Sequence, residues 1–227
     1  MGGPNAGGSG SVAGHFEVAA GMSEHGTVVG NAYDKYGSSN PIVRRLMRGF
    51  EDGLASLLAM ADDGDVHEVG CGEGRWSIEL ARAGRDVRAT DFSEAVIDLA
   101  RGNARRVGVD PARFVARDVY ELTHREDAAD VVVCCEVLEH LDDPLAGLRA
   151  LARVTRHHLI CSVPREPLWR TMNLARGRYV RQLGNTPGHV QHWSRRRFEA
   201  FVSQEFDVVR TLSPLPWTML LCAPRDP

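Results

Sequence analysis

Val66-His67-Glu68-Val69-Gly70-Cys71-Gly72-Glu73-Gly74 is the stretch on which the fold turns. With Asp65 before it, it reads as a short strand running into a glycine-rich turn. The glycines at 70, 72 and 74 then swing the chain into RWSIELARAG (75–84), which reads as a helix closed by Gly84. Glycines at such a turn permit positive φ and let a ligand touch bare backbone, while the helix that follows aims its N-terminus at the same place. A dinucleotide loop of the form G-x-G-x-x-G needs its third glycine one position later, where Arg75 stands.

Outward from this loop, strands and helices alternate. On the N-terminal side, residues 41–60 space Ile42, Leu46, Met47, Phe50, Leu54, Leu57 and Leu58 as the stripe of a half-buried helix, with Asn40 as N-cap and Pro41 at its first turn. On the C-terminal side, DVRATDFS (86–93), RFVARD (113–118), DVVVCCEV (130–137) and HHLICSVP (157–164) read as strands. EAVIDLARGNARRVG (94–108) and LAGLRALARV (145–154) read as the helices between them. This rhythm predicts an α/β domain with a parallel sheet. It breaks at residues 165–193, an irregular insert with an amphipathic helical pattern in LWRTMNLARGRYVRQL (168–183), and resumes with SRRRFEAFVSQEF (194–206) and two closing strands near 206–213 and 217–224.

Two acids sit where ligands bind in such sheets, at the carboxyl ends of strands. Asp91 ends the second strand, where a carboxylate can accept both ribose hydroxyls of a nucleoside. Asp118 ends the third, where it can accept from an adenine amino group. The alternative for each is a helix cap.

The chain resembles the class I S-adenosylmethionine-dependent methyltransferases from about residue 31 to 163. EVGCGEG (68–74) is similar to that family's first motif, Asp91 to its ribose-binding acid and Asp118-Val119 to its adenine-contacting pair. CEVLEHLDDP (135–144) resembles the motif after strand four in the ubiquinone-biosynthesis O-methyltransferase branch. The resemblance implies a doubly wound, Rossmann-like sheet of seven mostly parallel strands, the last antiparallel. It also implies S-adenosylmethionine contacts from Tyr36, Glu68, Gly70, Cys71, Gly72, Gly74, Asp91, Phe92, Asp118, Val119 and Glu136. Tyr33 and Tyr36 lie where such enzymes place aromatics over the cofactor; packing of the first helix is the competing role.

Glu136, Glu139 and His140 would share one face if the turn after strand four is helical. Two carboxylates and an imidazole there suit a divalent metal or a proton acceptor. EVLEH with a later HxxxW resembles the metal site of the small-RNA 3′-terminal 2′-O-methyltransferases, which adds His189 as the fourth ligand. Mg²⁺ and Mn²⁺ are the first expectations for an oxygen-rich set, and two carboxylates with imidazoles would also take Zn²⁺ or Fe²⁺. Without a metal, His140 or His189 is the candidate base. The alternative is that Glu139-His140 caps the next helix.

Composition narrows the partners. A net charge of −3 gives no general drive toward nucleic acid. The basic residues concentrate in one segment: Arg165, Arg170, Arg176, Arg178, Arg181, Arg195, Arg196 and Arg197 face a single acid, Glu166, across residues 165–197. That segment suits a lid with Arg forks for an anionic acceptor, peripheral contact with a membrane, or a solvated helix face. The five cysteines, Cys71, Cys134, Cys135, Cys161 and Cys222, form no CxxC pair and sit in apolar runs, as free thiols do. Residues 1–22, rich in Gly and Ser, are expected to be a flexible tail without a signal-peptide core, and 23–227 one domain in the cytoplasm. The expected activity is O-methylation of a small, anionic or amphiphilic acceptor in cofactor or secondary-metabolite biosynthesis. An RNA 3′-end methyltransferase and a non-catalytic cofactor-binding protein are the alternatives.

Overall fold

The structure, a computed structural model, describes residues 16–24, 27–28, 30, 37–177, 179–186 and 188–225. Helix α1 (Pro41–Leu58) starts as expected: the Asn40 side chain accepts from the Ile42 N–H at 2.9 Å, and Pro41 needs no partner for a missing N–H. Then come β1 (Val66–Val69), α2 (Arg75–Arg82), β2 (Val87–Asp91), α3 (Glu94–Arg106) and β3 (Phe114–Ala116). The short α4 (His124–Asp127) leads to β4 (Ala129–Cys135), α5 (Pro144–Val154) and β5 (Thr155–Pro164). After α6 (Leu168–Ala175) and α7 (Arg195–Val202), β6 (Phe206–Leu212) and β7 (Trp217–Pro224) close the chain. A separate two-residue ladder joins Ser23–Glu24 to Thr27–Val28.

The seven strands form one sheet in the order β3-β2-β1-β4-β5-β7-β6. All neighbouring pairs from β3 to β5 are parallel, and β7 runs antiparallel to both β5 and β6. The expected doubly wound sheet with an antiparallel last strand is therefore present. β4 shows why its sequence is apolar throughout. Val131 and Val133 face the cluster that α1 supplies with Phe50, Leu54 and Leu57, whereas Val132 and Cys134 face Leu148, Leu151, Val154, Phe198 and Val202 of α5 and α7. Successive side chains of a strand point to opposite faces, and both faces here are covered. Each such Leu or Phe, fully buried, contributes about 1.5–3 kcal/mol. The order reverses between β1 and β4, and the crevice outside their carboxyl ends is where an open sheet binds ligands.

Two segments depart from the sequence expectation. Residues 16–22, expected within the tail, lie against the domain. Glu17 exchanges backbone hydrogen bonds with the Asn103 side chain at 3.0 and 3.1 Å, and the buried Ala19 donates its N–H to Glu73 Oε1 at 2.9 Å. The insert is α-helical over Leu168–Ala175 and has a 3₁₀ turn at Val180–Gln182; Gly177 and Gly184 take positive φ and break the expected longer pattern. Its base is closed by a parallel bridge between Arg165 and Trp193, with the Glu166 N–H donating to the Trp193 carbonyl at 2.9 Å. Arg178 lies outside the described residues. No helix among the described residues is long and apolar enough to cross a membrane.

His67 of β1 is fully buried. Its Nδ1 donates to the Asp127 carbonyl at 2.8 Å, and Nε2 accepts from the Thr90 hydroxyl at 2.9 Å. Burial pushes its pKa down to about 4, against an ordinary 6.5. Between those values the unfolded chain holds a proton that the folded chain does not, so stability is lost as pH falls through this window. Urea unfolding from pH 4 to 8 should show the native protein gaining stability over His67→Gln up to about pH 6.5, on the order of 3 kcal/mol at most, then no further change. Parallel profiles would show that His67 takes up its proton inside the fold.

Candidate active site

The glycine loop is held from two strands. Glu68, buried in β1, accepts from the backbone N–H of Ser77 at 2.8 Å and from the Ser77 hydroxyl, so a carboxylate on the strand caps the first turn of α2. Burial raises the Glu68 pKa to about 7, opposed by the two Ser77 bonds. Burial and then the Glu68 charge hold the Cys71 thiol well above its usual range, which makes it a packing residue and not a nucleophile. Gly70, Gly72 and Gly74 all have positive φ, of 75°, 53° and 84°. A Cβ at Gly74 would stand 2.7 Å from the Phe114 ring, and one at Gly70 2.2 Å from Val137 Cγ2, so both are glycines for want of room as well as for backbone angle.

Asp91 closes the loop from β2. Its Oδ2 accepts the Gly72 N–H at 3.0 Å and its Oδ1 accepts the Ser93 N–H at 3.1 Å. The two amides fix the plane of the carboxylate. Asp118 behaves as an N-cap, its Oδ1 accepting from the Tyr120 N–H at 3.0 Å, and it lines the same cleft as Asp91. Phe92, 46% exposed, and Val119 lie beside them. Tyr33 and Tyr36 fall outside the described residues.

The cleft holds about 500 Å³ and continues from this nucleoside-sized end to a second end under the insert. Such a volume is ordinary for a small-molecule site. The second end has an aromatic wall that sequence spacing did not reveal. Rings follow one another from Trp76 to Phe50 (centroids 6.0 Å), Trp217 (5.1 Å), Trp169 (5.9 Å), His189 (6.0 Å) and His140 (4.9 Å), and every one of them lines the cleft. They come from α1, α2, α6, β7 and two loops, so only the tertiary fold joins them. Their one sequence signal is scarcity: three of the chain's four tryptophans are here.

Of the expected metal set, the structure gathers Glu139, His140 and His189, with ligand atoms within 4.8 Å of one another. Glu136 does not join them. It takes a left-handed φ of 59°, and the following turn is a 3₁₀ turn at Leu138–His140, so the expected common helical face does not form. Its carboxylate accepts instead from Trp217 Nε1 at 2.7 Å and Ser162 Oγ at 3.1 Å. Nor does Glu139-His140 cap α5; Asp143 does, accepting from the Ala146 N–H at 3.0 Å. Glu139 is buried. His140 Nδ1 donates to the Gly188 carbonyl at 2.9 Å, which leaves Nε2 as the basic nitrogen. Burial first, and then His140 and His192, push the His189 pKa down to about 3, so this imidazole is neutral at physiological pH. Two imidazoles and one carboxylate suit Mn²⁺, Fe²⁺ or Zn²⁺ better than Mg²⁺, which prefers oxygen donors.

Residues 67–161 match the family model described as a methyltransferase domain. Over those residues the chain is similar to the class I S-adenosylmethionine-dependent methyltransferases. Among curated relatives, the ubiquinone biosynthesis O-methyltransferase of Alkalilimnicola ehrlichii is 30% identical over 136 residues, covering 58% of this chain and 55% of that protein. The protein of the same name from Hahella chejuensis is 39% identical over 93 residues, covering 40% and 38%. The chain thus spans about half the length, or less, of the curated relatives it matches. Magnesium protoporphyrin IX methyltransferase from Synechocystis PCC 6803, solved with bound S-adenosylhomocysteine, shares the fold at a TM-score of 0.64 and 22% identity, over 84% of this chain and 91% of that one. The methyltransferase domain of a bacterial Hen1 protein shares it at 0.61 and 22%, over 78% and 99%.

The Asp91 geometry makes a quantitative prediction. If its carboxylate accepts ribose hydroxyls, Asp91→Ala should weaken S-adenosylhomocysteine by roughly 10- to 150-fold, the value of ~1.5–3 kcal/mol of charge-assisted hydrogen bonding. Calorimetry on the folded variant measures it. Unchanged affinity would remove Asp91 from the ribose site.

Proposed function

We propose that this methyltransferase moves a methyl group from S-adenosylmethionine to an oxygen of a small, flat acceptor. One observation carries the proposal: the glycine loop and Asp91 open into the same cleft as His140 and the aromatic wall. The nucleoside end fits the cofactor by its donor set, with backbone N–H groups at the start of α2, a carboxylate at Asp91 and a second at Asp118. Bound there, S-adenosylmethionine supplies an electrophilic methyl group on a sulfonium that leaves readily. The protein's own work is then alignment and proton removal.

Alignment falls to the wall. Trp169 is held by Nε1 donating to Thr186 Oγ1 at 2.9 Å, and the edge-to-face pair of Phe50 and Trp217 is rigid on the sheet side. Proton removal falls to His140, whose tautomer the Gly188 carbonyl sets. His189, with its pKa near 3, is too weak a base for that task and serves as a neutral ring or metal ligand. A divalent ion held by Glu139, His140 and His189 would lower the pKa of the acceptor hydroxyl.

A small acceptor fits better than an RNA end. Among the arginines expected to grip phosphate, Arg170 Nε donates to the Leu183 carbonyl at 3.1 Å and Arg176 to Asn173 Oδ1 at 2.7 Å. These guanidiniums brace the insert itself. Arg195 pairs with Glu199 at 3.0 Å.

The test uses methyl-labelled S-adenosylmethionine, with 3,4-dihydroxybenzoate as a probe acceptor. His140→Asn should lower the rate by about 10²–10⁴-fold while the affinity for S-adenosylhomocysteine changes by less than about twofold. Assays after chelation, with Mn²⁺ or Zn²⁺ returned singly, separate the two roles of His140. Metal dependence that Glu139→Gln abolishes assigns it as a ligand; full turnover in the stripped protein assigns it as the base. A native chain that binds no S-adenosylhomocysteine would contradict the proposal.

A further inference from the structure

The sheet ends in a residue that its backbone should not favour. Glu136 follows the last residue of β4 with φ at 59°, a left-handed conformation uncommon outside glycine and asparagine. Such a cost is kept where surroundings enforce it and something depends on it. The enforcing contacts are visible. The Glu136 N–H donates to the Ser162 carbonyl of β5 at 3.0 Å, and Ser162 Oγ donates to Glu136 Oε1 at 3.1 Å. What depends on it is equally specific: Oε2 accepts the indole N–H of Trp217 at 2.7 Å, a short charge-assisted bond.

Trp217 is the middle of the aromatic wall. It meets Phe50 edge-on at 5.1 Å and Trp169 at 5.9 Å, and it stands at the first position of β7, opposite Pro164 of β5. Rings packed on both sides can still tilt about χ2; a hydrogen bond from the ring nitrogen removes that freedom. Glu136 accepts from this nitrogen, and its carboxylate is not among the ligand atoms gathered at Glu139, His140 and His189.

We propose that Glu136 is a positioning residue of the acceptor site. It fixes the Trp217 indole, and through it the wall, so that the cleft selects a flat ring. This rests on the proposed function only in taking the walled end of the cleft as the acceptor's. The role differs from a metal or cofactor ligand's, because it requires the carboxylate to act through Trp217.

The experiment measures binding of catechol, with cyclohexane-1,2-diol as its puckered counterpart, to the full chain saturated with S-adenosylhomocysteine. The native protein should prefer catechol by about 3- to 10-fold, the range expected of aromatic pairing. Glu136→Asn is the informative variant. Asparagine tolerates the left-handed backbone, so the fold is spared, but it is one methylene too short to reach the indole. It should bring the two diols to near parity while S-adenosylhomocysteine affinity moves by less than about twofold. Glu136→Gln should keep the preference, since its amide oxygen can accept from Trp217 and its NH₂ can donate to Ser162. Trp217→Phe should lose the preference, and adding Glu136→Asn to it should change nothing more. The proposal is overturned if Glu136→Asn keeps the preference, if Gln fails as badly as Asn, if the double variant loses affinity additively, or if S-adenosylhomocysteine affinity falls in step. A native chain that binds S-adenosylhomocysteine without preferring catechol also overturns it. A native chain that binds no S-adenosylhomocysteine contradicts the proposed function instead.

Discussion

The bond from the Gly72 N–H to Asp91 Oδ2, 3.0 Å long, ties the carboxyl end of β1 to that of β2, beside the crevice where the sheet reverses its order between β1 and β4. It acts together with the Gly70 and Cys71 N–H groups, which donate to the Thr90 carbonyl of β2 at 2.7 and 2.9 Å. With it, and with Glu68 capping α2 from behind, the loop presents backbone amides in a fixed cradle. The same bond, with that from the Ser93 N–H to Oδ1, fixes the plane of the Asp91 carboxylate at the edge of the cleft. In the proposed function a methyl carrier is held there by its nucleoside end, and the geometry of the reaction is decided by what stands at the other end of the cleft.

That other end is built by different means. No single element supplies it. α1 gives Phe50, α2 gives Trp76, β7 gives Trp217, the insert gives Trp169 and His189, and the turn after β4 gives Glu136 and His140. The insert is pinned at its base by Arg165 and Trp193 and internally by Asn173, whose Nδ2 donates to the Gly184 carbonyl at 2.9 Å. Arg170 and Arg176, which bond to the Leu183 carbonyl and to Asn173, are part of the same scaffold. This explains how a segment so rich in arginine can cover a cleft whose wall is aromatic.

Much of this was legible in the sequence, and the reasons are local. The N-cap at Asn40, the proline after it and the apolar stripe of α1 are signals that operate within one helix. Glycines 70, 72 and 74 with acids 17 and 44 residues beyond Gly74 pointed to one cleft, because strand ends in a doubly wound sheet bring such residues together. The acceptor end was legible only in part. Periodicity grouped Glu136 with Glu139 and His140 by assuming a helical turn, and a single left-handed residue undid that grouping. Nothing in the sequence around Glu136 announces positive φ; the contacts that impose it come from Ser162 and Trp217, 26 and 81 residues away. The aromatic wall was invisible for the same reason.

A crystal structure with S-adenosylhomocysteine tests the central claim most directly, because it shows which end of the cleft holds the nucleoside. The account requires both ribose hydroxyls within hydrogen-bond distance of Asp91 and the thioether sulfur facing the space bounded by Trp169, Trp217 and His140. A nucleoside bound away from Asp91, or a sulfur turned out of that space, would contradict it.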